Sequence, residues 1–244
     1  MASLQHTALP TTLPFNPRDL PVWAEATHAL QQQAAVAAAR LQADALRQRF
    51  AAPPAWQAEP HNDRWPATAH IPRAAAVLIG LQALGTDDGA LHVLLTQRGQ
   101  HLDAHPGQIA FPGGKIDAND AHATAAALRE AQEEVCLHPA QVQVLGELLP
   151  YETGTGYRVT PVVALLHASA TLQPNPQEVS DVFLVPLDFL MNPANHRKHL
   201  WQPGPGQRRE WFSMPYFDTA SRQERFIWGV TAGILRDLYR FLSA

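Results

Sequence analysis

Three glutamates and an arginine crowd the six residues Arg129-Glu130-Ala131-Gln132-Glu133-Glu134, in a chain only 16% charged. On a helix, Glu130, Glu133 and Glu134 fall within an arc of about 100°. Leu128, Ala131 and Val135 fall opposite them, joined one turn earlier by Ala121 and Thr124. One face can therefore bury against a sheet while the other presents three carboxylates. Like charges at such spacings repel. A divalent cation turns that repulsion into binding, and oxygen-only ligands favour Mg²⁺ or Mn²⁺ over zinc. The plain alternative is a solvated acidic helix end with Arg129 as an intrahelical partner.

The flanking residues favour the cation. Upstream, "FPGGKIDANDAH" sets Gly113 and Gly114 one short loop before the carboxylates. Glycines allow a ligand to approach the backbone closely. A Gly113 carbonyl could complete a metal shell, and free N–H groups could meet phosphate oxygens.

The stretch resembles the Nudix box, Gly-x5-Glu-x7-Arg-Glu-U-x-Glu-Glu-x-Gly-U with U aliphatic, over Gly114, Asp120 and Arg129 to Glu134. Members of that family hydrolyse diphosphates linked to another moiety, using Mg²⁺ or Mn²⁺. The resemblance implies that Glu130, Glu133 and Glu134 are metal ligands, with the Gly113 carbonyl as another, and that Arg129 holds a box glutamate in position. It also implies an α/β fold, a Nudix-type α/β/α sandwich with a mixed sheet. Two positions depart from the box. Aspartate stands at 120 with one extra residue before Arg129, and Cys136 replaces the last glycine.

Residues 94–114, "LLTQRGQHLDAHPGQIAFPGG", resemble the signature of the coenzyme A pyrophosphatase branch, Leu-Leu-Thr-x-Arg-Ser/Ala-x3-Arg-x3-Gly-x3-Phe-Pro-Gly-Gly. Leu94, Leu95, Thr96, Arg98, Gly107 and Phe111 to Gly114 are in register; Gly99 and Asp103 are not. "TGYRVTPVV" and "IWGVTAGIL" are similar to that branch too. The implied substrate is coenzyme A or an acyl derivative, cut to 4′-phosphopantetheine (or its acyl form) and adenosine 3′,5′-bisphosphate. Arg98 suits phosphate recognition because a guanidinium engages oxygens in pairs. His105 and Lys115 are further substrate-binding candidates. Glu178, just before a strand in "NPQEVSDVFLVPL", is the fourth carboxylate, and the resemblance gives it or Glu134 the general base role. ADP-ribose, a nucleotide sugar or a nucleoside triphosphate would share the metal site. A non-catalytic Nudix-like module would be expected to have lost a box glutamate.

These residues need a scaffold. "AAAVLIGLQAL", "LHVLLTQR", "VQVLGELL", "YRVTPVVALL", "VFLVPL" and "EWFSMPYF" read as strands, with a turn at "GTDDG". Ile227, Val230, Ile234, Leu238 and Phe241 form the stripe of a closing helix. The resemblance spans about 73–240, which places the Nudix domain at 71–244. Residues 1–70 then form an N-terminal helical extension and linker: a loose polar start to about 20, one helix from about Ala24 to Phe50 with Leu30, Ala34, Ala37, Leu41 and Ala45 as its stripe, and the breaker "AAPPAWQAEP". That helix is expected to serve packing or a homodimer.

Composition narrows the classes. A net charge of −4 gives no footprint for nucleic acid or an anionic membrane. Cys136, the single cysteine, excludes an internal disulfide framework. With no signal peptide pattern and no apolar run near the roughly 18 residues of a membrane span, a cytoplasmic protein is expected.

Overall fold

The computed structural model describes residues 16–60, 71–84, 89–102, 105–204 and 207–244. Most of the turn at "GTDDG", the start of the chain to residue 15 and Asp103 lie outside them. A mixed sheet forms the centre. Strand β1 (Arg73–Ala83) runs parallel to β7 (Tyr157–Leu166), and every other pair in that sheet is antiparallel. The order is β3 (Ile109–Ala110), β2 (Leu91–Arg98), β1, β7, β5 (Val142–Glu147). Strand β4 (Gly113–Lys115) pairs with β1, β6 (Tyr151–Glu152) with β7, and β8 (Val179–Pro186) with β2.

Alternation along the strands sends side chains to two apolar layers. Ala76 and Leu78 of β1, Leu94 of β2 and Val162 and Ala164 of β7 pack against Ala126, Ala127, Ala131 and Val135 of helix α3 (Ala123–Val135). Ile79, Leu81, Val93, Leu95 and Val163 face the other way, toward the closing helix α5 (Gly229–Ser243). Helices thus cover both faces, giving the expected α/β/α sandwich. Between β8 and α5 come the short α4 (Leu187–Leu190) and a second, antiparallel sheet of β9 (Arg197–Gly204), β10 (Gln207–Asp218) and β11 (Gln223–Trp228).

Two helical expectations need correction. The alanine-rich segment is two helices, α1 (Ala24–Gln31) and α2 (Ala43–Ala51), with a single 3₁₀ turn at Ala38–Leu41 between them. Tertiary bonds override its propensity: the Val36 N–H donates to the Met191 carbonyl, the Tyr239 hydroxyl to the Ala34 carbonyl, and Arg236 to the Gln33 amide oxygen. Thr27, Leu30, Val36, Leu41 and Leu46 are the buried residues, while Ala34 and Ala37 are exposed. At the other end, Ile227 belongs to β11, opposite Met214. Gly229, with φ of 61°, turns the chain from strand into α5.

Candidate active site

Helix α3 is capped by the His122 ring, whose Nδ1 accepts from the Ala125 N–H at 3.1 Å. Its fully buried Ala126, Ala127 and Ala131 let it lie close on β1. Glu130 and Glu134, one turn apart, then meet the two glycines. The Gly113 N–H donates to Glu134 Oε2 at 3.3 Å. A Cβ on Gly114 would stand 2.3 Å from Glu130 Oε1, and one on Gly113 only 2.4 Å from the Ala76 carbonyl oxygen. Glycine is therefore needed at both positions, at one for the site and at the other for the sheet.

Glu178 comes in from the turn before β8. Oxygens of Glu130, Glu134 and Glu178 all lie within 4.8 Å of one another. Arg98 Nη1, at the end of β2, is 4.0 Å from Glu134 Oε1. Glu134 is 3% exposed, so it lies on the buried side of α3 and not on the open acidic face that the helical arc suggests. Burial pushes its carboxyl up to about 8, Glu130 and Glu178 add to the shift, and the Gly113 N–H and Arg98 oppose it. Glu130 is also raised, chiefly by burial and against the pull of Arg129. Three converging oxygen-only donors, with the charged forms of Glu130 and Glu134 disfavoured by burial, fit a hard divalent cation, which relieves both that burial and mutual repulsion.

Glu133 stands apart from this trio. It is exposed and takes Arg129 Nη1 at 2.9 Å. Arg129 reaches Glu130 at 3.1 Å with the same nitrogen, gives Nε and Nη2 to the two Asp120 oxygens at 3.0 and 2.9 Å, and donates from Nη2 to the Lys115 carbonyl at 3.2 Å. Asp120, the shorter acid of the altered box, thus still engages Arg129, which holds its carboxyl below the usual range. Lys115 is exposed, and its contact within the site is that carbonyl. His105, with φ of 55°, lines a cleft of about 470 Å³ with Gln97, Ile109, Arg225 and Phe226. Burial and then Arg98 hold its imidazole below the ordinary value. Gly99 donates its N–H to the Glu178 carbonyl at 2.9 Å, and a Cβ there would come within 2.6 Å of the His101 ring.

The family model described as NUDIX domain matches residues 72–216. The chain belongs to the Nudix family. Among curated Nudix relatives, the Uncharacterized Nudix hydrolase NudL of Escherichia coli strain K12 is 44% identical over 147 residues, 60% of this chain and 72% of the relative. A protein of the same description from Shigella boydii is 43% identical over the same coverage. Among solved structures, a Nudix hydrolase from M. smegmatis, RenU, superposes with a TM-score of 0.42 at 28% identity, covering 48% of this chain and 71% of that one. The chain is a Nudix hydrolase, and such enzymes work with divalent metals such as Mg²⁺ or Mn²⁺. Among the described residues, no helix is long and apolar enough to cross a membrane.

Proposed function

We propose that this Nudix hydrolase cleaves the diphosphate of coenzyme A or an acyl-coenzyme A, releasing (acyl-)4′-phosphopantetheine and adenosine 3′,5′-bisphosphate. The observation that carries the chemistry is the convergence of Glu130, Glu134 and Glu178 within 4.8 Å, beside Arg98. The in-register residues from Leu94 to Gly114 carry the substrate assignment. In this reading Glu130, Glu134 and Glu178 hold Mg²⁺ or Mn²⁺, with the Gly113 carbonyl as a further ligand. Bound there, the cation offsets diphosphate charge and acidifies water for attack at phosphorus.

The chain's own residues do the rest. Arg98 grips diphosphate oxygens from the end of β2. Its Nη1 stands 4.0 Å from Glu134 Oε1, so the guanidinium lies beside the carboxylates where the diphosphate would sit. Arg129, fixed by Asp120 and Glu133, steadies Glu130. Glu178 is half-buried where Glu134 is buried, so it is the better placed of the two to take the water's proton and pass it to solvent. His105 supplies one wall for the substrate, and Lys115 a cation at the rim. Residues 71–244 are the catalytic domain, acting in the cytoplasm.

Product analysis with coenzyme A, dephospho-coenzyme A and ADP-ribose, each with Mg²⁺ or Mn²⁺, tests the assignment. Coenzyme A should show the highest kcat/KM and yield adenosine 3′,5′-bisphosphate. A clear preference for ADP-ribose removes coenzyme A as substrate and leaves the hydrolase assignment intact.

A further inference from the structure

Glu130 and Glu134 are fixed by one helix, but Glu178 lies in a turn, so something must hold that turn against α3. The hydrogen bonds converge on Asn175. Its N–H donates to the Glu134 carbonyl at 2.8 Å, and its Nδ2 to the Glu133 carbonyl at 3.2 Å. These carbonyls belong to the last turn of α3, where no intrahelical donor is left for them. In the other direction, Asn175 Oδ1 accepts from the Gln177 N–H at 3.2 Å, and its carbonyl accepts from the N–H groups of Glu178 and Val179, both at 2.9 Å. Pro174 and Pro176 flank it; the latter confines Asn175 to extended backbone. One side chain therefore needs a donor for Glu133 and an acceptor for Gln177, which an amide offers and a carboxylate does not.

We infer that Asn175 is a positioning residue: it clamps the Glu178 turn onto the end of α3 and so sets the affinity of the carboxylate trio for a divalent cation without touching it. The inference rests on the reading of Glu130, Glu134 and Glu178 as the cation site. If Asn175 were only a helix-end cap, its loss would lower stability and leave cation binding to the folded protein unchanged.

The test is Mn²⁺ titration, read by the free-ion resonance signal, of the metal-stripped full-length chain and of its Asn175→Ala, Asn175→Asp, Glu178→Gln and Asn175→Ala/Glu178→Gln variants. Loss of a partner that orients a metal ligand costs roughly 10- to 100-fold in affinity, and Asn175→Ala should weaken Mn²⁺ by about that factor. Because Asn175 acts through Glu178, the double variant should bind no more weakly than Glu178→Gln alone. Mn²⁺ affinity within about twofold of the parent in folded Asn175→Ala protein, or additive losses in the double variant, overturns the inference. If Glu178→Gln itself leaves affinity unchanged, the cation-site reading has failed and the inference falls with it. Should Asn175→Ala not fold, Asn175→Asp keeps the acceptor for Gln177 and lacks the donor for Glu133; made alone and together with Glu178→Gln, it decides the question by the same two comparisons.

Discussion

At the scale of the residue, Glu134 concentrates the chemistry because burial and the neighbouring carboxylates push its proton affinity up while the Gly113 N–H and Arg98 pull it down. Its folded value of about 8 lies above the ordinary 4.5. Between those limits the folded chain without metal binds more protons than the unfolded one. This contribution to stability is complete below about 4.5 and is lost as pH rises through about 8. Metal-free protein should therefore lose stability from pH 5 to 8, with Glu130 adding to the slope in the same direction. Glu134→Gln removes the titrating group while keeping its size. It should flatten that slope in urea melts taken across the range, and it should cost at least about a hundredfold in kcat. Near-parental turnover in folded Glu134→Gln protein would mean the acid is misassigned. Sequence spacing alone brings out the glutamates and glycines. It cannot tell Glu133 from Glu134, because both lie on one arc of a helix and only the Gly113 N–H of β4 on Glu134 and the Arg129 pairing of exposed Glu133 separate them.

At the scale of the element, the elements that were legible are those whose burial follows a simple period. Strands β1, β2 and β7 are apolar runs, and α3 has one small-residue face. Strands β9 and β11 escape such a reading because charged residues sit inside them: Lys198 pairs with Glu210 at 2.7 Å, and buried Arg225 pairs with Asp181 at 2.6 Å. Their neutralisation is tertiary, so no local pattern announces it. The end of α3 is a different case, since the family pattern has glycine where this chain has Cys136. The structure gives Cys136 φ of 57° and ψ of 23°, with its N–H closing on Gln132 and that of Leu137 on Ala131. A side chain in this left-handed state costs roughly 1–2 kcal/mol. Glycine's extra freedom in the unfolded chain returns roughly 0.5–1 kcal/mol of that. Cys136 is exposed, so its removal sacrifices little packing. Cys136→Gly should therefore stabilise the protein by about 0.5–1 kcal/mol in urea unfolding, whereas Cys136→Ala should gain nothing. Equal midpoints for the two variants would show that the left-handed turn costs no more than glycine's extra freedom returns, below the roughly 1–2 kcal/mol assigned to it.

At the scale of the whole molecule, the N-terminal segment is joined to the core by a buried cation. Arg236 of α5 is fully buried. It bonds Glu59 with Nε at 3.1 Å and with Nη2, Gln33 at 3.1 Å, and His196 Nδ1 at 3.0 Å. His196 can accept there because burial, and then Arg236 itself, push its value down to about 3, while its Nε2 lies 2.8 Å from the Leu190 carbonyl as a donor. Three distant parts of the chain thus meet at one guanidinium. Leu30, Leu41 and Leu46 lie in the same apolar cluster as Leu238 and Leu242 of α5. The packing role expected for the extension is accordingly a contact with the core of its own chain. Removing Glu59 would leave the Arg236 charge buried without its carboxylate, a loss of about 3–5 kcal/mol. Glu59→Ala should lower the urea midpoint accordingly, and Arg236→Met in that background should recover much of it, since no charge would then be buried. The carboxylate trio is built from α3 and the turn before β8, neither of which contributes to this junction. Folded Glu59→Ala protein should therefore bind Mn²⁺ with parental affinity. A cost below about 1 kcal/mol would show that His196 and Gln33 suffice to hold the cation. Failure of Arg236→Met to rescue would show that the loss does not come from the buried charge, and the backbone N–H of residue 59 to Asp237 at 2.7 Å, which alanine keeps, could not account for it either.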